Sequence, residues 1–121
     1  MTSLYAVHAA YAVGASILAC YVVWILYLAI MHLIRAREYG TLKKTARWLG
    51  YPVVLVGVIL DWLLNVIVGT VLFLELPKSF GELVTARLKR HCDLPTWRGA
   101  IAWWVCHKLL DTFDPSSRHC D

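Results

Sequence analysis

Apolar residues in this chain fall into two long, nearly unbroken blocks, followed by a stretch where apolar and polar positions alternate at helical spacing. From Leu4 to Ile34 there are 31 residues without Asp, Glu, Lys or Arg. At a rise of about 1.5 Å per residue, such a helix exceeds the roughly 30 Å hydrocarbon thickness of a bilayer. Arg35 and Arg37 close the block, and His8 and His32 sit near its ends, where an imidazole reaches the headgroups. The second block runs from Tyr51 to Leu76, preceded by Trp48, closed by Pro77-Lys78, and interrupted by Asp61 and Asn65. A central Asp opposes insertion by about 3 kcal/mol, and aliphatic or Phe side chains favour it by roughly 0.3 to 0.6 each. With sixteen Leu, Ile, Val and Phe between Val53 and Leu74, insertion wins.

The pattern predicts an all-α, integral membrane helical hairpin with helices over residues 4–34 and 48–76, a basic loop over 35–47 and a tail over 77–121. A secretory signal peptide is the rival for the first block, since Ile17-Leu18-Ala19-Cys20 has a faint likeness to a lipoprotein cleavage box. The start carries no Lys or Arg, however, and the apolar run continues fourteen residues past Cys20, too far for a signal sequence.

In the tail, Ser79 and Glu82 form an S-x-x-E capping box ahead of Phe80, Leu83, Val84, Leu88 and His91 at helical spacing. A second short helix is expected from Thr96, with Trp97, Ala100, Ile101, Trp104, Val105 and Leu109 on one side, ending before the turn Asp114-Pro115-Ser116-Ser117. Trp97, Trp103 and Trp104, with Trp48 before the second span, are candidates for the membrane interface.

Composition agrees with this segregation: 60% of the 121 residues are apolar and 17% charged, an excess no single water-soluble core absorbs. The net charge of +4 arises from Lys and Arg placed outside both blocks, five between Arg35 and Arg47 and seven from Lys78 onward. That placement suits anionic headgroups, and the tail's interspersed acids and tryptophans argue against nucleic acid. The positive-inside rule puts the dense loop in the cytoplasm and both termini outside; Lys78, Arg87, Lys89, Arg90 and Arg98 pull the tail inward as well, a conflict that a re-entrant second segment would remove.

Gly57, Asp61, Asn65 and Gly69 recur every four residues and share one narrow face of the second helix, with Thr70 beside it. Small residues admit a close neighbour, and Asp61 and Asn65 can hydrogen-bond across the contact. The first helix offers matching stripes, Ala6, Ala10, Gly14 or Ala12, Ser16, Cys20. The readings are packing of the hairpin, self-assembly, or a proton or ion path, the last disfavoured because it needs several ionisable groups in series.

His91-Cys92, Cys106-His107 and His119-Cys120 carry the residue types of a zinc site, with Cys92, Cys106, His107 and Cys120 as candidate ligands, but without the local C-x-x-C or H-x-x-x-H pairs such sites use. The alternatives are a Cys106–Cys120 disulfide across the Asp-Pro turn, in an oxidising compartment, with Cys92 left as a thiol or intermolecular, and ordinary reduced thiols with neither role if the tail faces inward. No nucleophile elbow, phosphate loop or H-E-x-x-H is present, and Asp111 and Asp114 fit helix termination, so neither an enzyme nor a small-molecule substrate is expected.

The stretch Leu72-Phe73-Leu74-Glu75-Leu76-Pro77, with Thr85-Ala86-Arg87-Leu88, Arg90-His91, Trp97-Arg98-Gly99, Leu109-Leu110-Asp111, Phe113-Asp114-Pro115 and His119-Cys120, resembles small uncharacterised membrane proteins of tailed phages and prophages. The likeness covers roughly the last fifty residues and implies a bacterial inner membrane, with no activity attached. The expected function is association in the bilayer, through homo-oligomers or capture of a host membrane protein. A holin-like lysis effector and a metal- or redox-responsive tail are the alternatives.

Overall fold

The computed structural model describes residues 2–120. The first apolar block forms one helix, α1, over Thr2–Glu38, continuing through Arg35 and Arg37 past its predicted end. Charge does not stop a helix, since Arg, Lys and Glu are good helix formers. The stop is Gly40, at φ 68°, a left-handed position that costs glycine nothing. The amides of Thr41 and Leu42 both bond the Ala36 carbonyl, at 3.0 and 3.1 Å, and close the helix end. Helix α2 covers Lys44–Phe73, so the connection shrinks from the predicted 35–47 to residues 39–43.

Within α2 the turn Asn65–Gly69 is π-helical, wider than an α-turn. The helix ends where Leu74 turns left-handed at φ 48°, short of the predicted Leu76. Gly50 packs under Leu33, and Gly57 under Ile30 and Leu26, which sets α1 and α2 antiparallel.

Two short helices follow, α3 (Val84–Cys92) and α4 (Trp97–Trp104), the latter extended by a π-helical turn over Val105–Leu110. Helix α4 starts as predicted, with the Gly99 amide donating to the Thr96 hydroxyl at 3.1 Å. The capping box at Ser79 and Glu82 does not form. Those residues make a turn, and α3 begins after Leu83, which lends no side-chain cap.

The fold is all-α, with no strand among the described residues. Phe73 at the end of α2 and Leu88, Ala102, Cys106 and Cys120 of the tail make a buried core, ringed by Val84, Cys92, Ile101, Val105 and Leu110. Both long helices are long and apolar enough to cross a membrane by length and composition. The most apolar stretch of α1 is only 6% buried, and that of α2 17%.

Candidate functional site

The four-residue stripe on α2 splits between two neighbours. Gly57 meets α1, whereas Asp61, Asn65 and Gly69 meet the tail. The Val84 amide donates to Asp61 Oδ2 at 3.0 Å, so a carboxylate from another element supplies the cap for α3. Asn65, fully buried, donates through Nδ2 to the Glu82 carbonyl at 2.7 Å, and Trp62 Nε1 donates to the Phe80 carbonyl at 2.6 Å. A Cβ on Gly69 would lie 2.9 Å from Arg87 Nη1, so the missing side chain makes room for a tail arginine. Of the expected helix–helix contact face, Gly57 thus meets α1, and the polar half is occupied by the chain's own tail. The small-residue stripes on α1 also stay apart from it, with Gly14 in open space and the Ser16 hydroxyl donating back to the Ala12 carbonyl at 2.9 Å.

Behind the stripe lies a charge network absent from the sequence reading. Arg90 donates to Glu75 Oε1 at 2.5 Å and through Nε to Glu82 Oε1 at 3.1 Å, and the Lys78 amide donates to Glu82 Oε2 at 2.8 Å. His91 Nε2 is 3.3 Å from Glu75 Oε2, and its ring stacks on Phe73 at 5.3 Å. The hydrogen bond from Arg90 holds Glu75 below the usual glutamate range. Burial alone would raise Glu82, but hydrogen bonds from Arg90 and the Lys78 amide outweigh it and hold this carboxyl low as well. Arg87, 1% exposed, sits 3.7 Å from Glu82 Oε2 and over the Phe73 ring, and burial lowers its affinity for its proton.

On the far side of the tail, Cys106 and Cys120 are joined in a disulfide. Their sulfurs are therefore withdrawn from the four-residue zinc set of Cys92, Cys106, His107 and Cys120. Among the described residues no group of three or more His, Cys, Asp or Glu is placed to hold a metal. His107 instead turns Nδ1 to Asp111 Oδ2 at 2.7 Å and Nε2 towards Cys92 Sγ at 3.9 Å. His119 bonds Asp114 Oδ2 at 2.7 Å and Thr85 Oγ1 at 3.2 Å, and its ring meets the edge of Tyr27.

The tail reaches α1 well inside that helix. Tyr27 donates to the Leu110 carbonyl at 2.5 Å, Arg35 donates to the Phe113 carbonyl at 3.3 Å, and Trp24 meets the Phe113 ring. It therefore lies along the flank of the hairpin and not beyond its end. Of the four tryptophans expected at the interface, Trp48, Trp97, Trp103 and Trp104, all are exposed; Trp97 is covered by Arg98, and Trp103 by Lys108 and His107. The chain matches no family model, no curated protein and no solved structure.

Proposed function

We propose that this chain is a small non-enzymatic protein of a bacterial inner membrane, of the phage-encoded kind, that crosses the bilayer twice and works by lateral association. The observation that carries the reading is the contrast between its two flanks. One is bare: α1 and α2 leave Ile17, Leu18, Leu55, Ile59, Ile67 and Val71 exposed, and water does not accommodate an apolar surface of that extent. The other carries the docked tail, with Lys89, Lys108 and Arg118 exposed on its outer side, and acyl chains do not accommodate those.

Both demands are met when the bare flank faces lipid and the tail flank faces a second copy or a host membrane protein around a wet space. The disulfide favours an oxidising compartment for that space, and Arg35, bonded to the Phe113 carbonyl, keeps the loop end of α1 beside the tail.

The test is amine crosslinking of the full chain in native membranes. It should give a discrete oligomer, or one host protein, lost in the Lys89→Gln, Lys108→Gln double variant. Monomer alone at every crosslinker concentration would sink the reading. A holin-like effector is the second reading, favoured by the same wet flank. It predicts that expression alone collapses the membrane potential at a defined time, whereas simple association leaves the potential intact.

A further inference from the structure

Cys92, at the end of α3, lies outside the disulfide, half-buried against the tail core, and the π-helical turn Val105–Leu110 brings His107 across to it. Sγ lies 3.9 Å from His107 Nε2, while His107 Nδ1 lies 2.7 Å from Asp111 Oδ2. The order of contacts assigns the roles. A carboxylate on Nδ1 holds the proton on that nitrogen, which leaves the Nε2 lone pair facing the sulfur. Trp103 packs on the ring at 4.9 Å and limits its rotation.

We propose that Cys92, His107 and Asp111 form a nucleophilic thiol site that attacks the disulfide bond of a second molecule and holds part of it as a mixed disulfide. This goes beyond the association reading and stands on the tail alone. The thiol proton passes to Nε2, and the sulfur attacks one sulfur of the incoming disulfide. That S–S bond breaks as a new one to Cys92 forms, and the released thiolate takes the proton from the imidazolium. One disulfide is exchanged for another, so no external oxidant or reductant is consumed.

Disulfides are favoured over carbonyl substrates because attack on a carbonyl builds an oxyanion that needs its own donors. Disulfide exchange needs only a nucleophile and a proton acceptor, the two things present, in a tail that already keeps one disulfide. The C-terminal end of α3 works against a thiolate, since the helix dipole is negative there. The imidazole opposes that effect, and removing it makes the inference testable.

A thiol of ordinary acidity is about 1% thiolate at pH 6.5. Full ionisation gains about 100-fold, of which about tenfold is lost because a more stable thiolate is a weaker nucleophile. The experiment uses the full chain carrying Cys20→Ser, in detergent, with an aromatic disulfide reagent followed by released absorbance and oxidised glutathione followed by mass.

At pH 6.5 Cys92 should react about tenfold faster than in His107→Gln, with Asp111→Asn between them and Cys106–Cys120 intact by mass. The unsubstituted site should also keep its rate below pH 7, where the urea-unfolded chain slows tenfold per pH unit. Equal rates in the variants, or a folded-chain profile that parallels the unfolded one, would overturn the proposal.

Discussion

Asn65, in the middle of the second apolar helix, donates a hydrogen bond to the backbone carbonyl of Glu82, 17 residues later in the tail, at 2.7 Å. Asp61, one turn earlier, accepts from the Val84 amide at 3.0 Å. A polar pair that would oppose burial in lipid is thus used to hold the tail. Replacing Asn65 with Leu leaves the Glu82 carbonyl without its partner in a buried place, which costs about 1–3 kcal/mol. In Asn65→Leu and Asp61→Leu the tail should come off the hairpin while both long helices stay helical. Limited proteolysis in membranes should then cut between residues 77 and 84 at least tenfold faster than in the parent chain.

Arg90 joins Glu75 and Glu82, and both carboxyls are held below the usual range. Depressed folded values mean stability that is present above the unfolded glutamate pKa, about 4.3, and is lost as pH falls through the folded values. The contribution of these carboxyls should therefore be complete between pH 5 and 7, and the tail should loosen below about pH 4. Asp114, where burial is outweighed by hydrogen bonds from Ser116 and His119, adds in the same direction. Arg90→Gln removes the shared donor and should weaken tail protection at pH 7 by about 1–3 kcal/mol. It should also flatten the acid response. Hydrogen exchange of α3 amides across pH 3.5–7 measures both.

What the sequence made legible follows from which forces act locally. The two long helices declare themselves because an uncharged run of 31 residues, and a second apolar block with Asp61 as its one central charge, have few alternatives, and Thr96 declares the start of α4 because its cap lies three residues away. Helix ends at Arg35 and Trp48 are misplaced because charge suggests a boundary of the bilayer, whereas the backbone turns only at Gly40. The Gly57 to Gly69 spacing shows which residues share a face, but not which element covers it. Ser79 and Glu82 fail as a cap because the Glu82 carboxylate accepts from the Lys78 amide and Arg90, and the Glu82 amide bonds the Ser79 carbonyl. Arg90 and its acids are separated by 8 and 15 residues, beyond the reach of any helix-periodicity argument.

The disulfide closes a segment with a sequence separation of 14, for which loop-closure entropy gives about 3 kcal/mol. Cys120 also belongs to the tail core, so its loss removes packing as well as a crosslink. Reduction alone should lower the thermal midpoint of the tail without touching α1 or α2, and Cys120→Ala should lower it further. Near-ultraviolet circular dichroism in detergent, with and without reductant, separates the crosslink from the packing. No shift on reduction would mean that α3, α4 and the charge network hold the tail unaided.

Gly99 and Gly14 give opposite expectations for the same substitution. A Cβ on Gly99 would collide with the Leu94 carbonyl and approach the His91 carbonyl to 2.9 Å, and both obstacles are backbone. Nothing lies within 4 Å of the corresponding position on Gly14. Gly99→Ala must push α3 and α4 apart, and overpacking of this kind costs about 1–3 kcal/mol. Gly14→Ala gains helix propensity of about 1 kcal/mol and meets no neighbour within the chain. The tail of Gly99→Ala should therefore melt several degrees lower in detergent, while Gly14→Ala leaves its midpoint unchanged. In membranes Gly14→Ala has a second readout: crosslinking is unaltered if the exposed end of α1 meets only lipid, and reduced if another copy packs against that glycine.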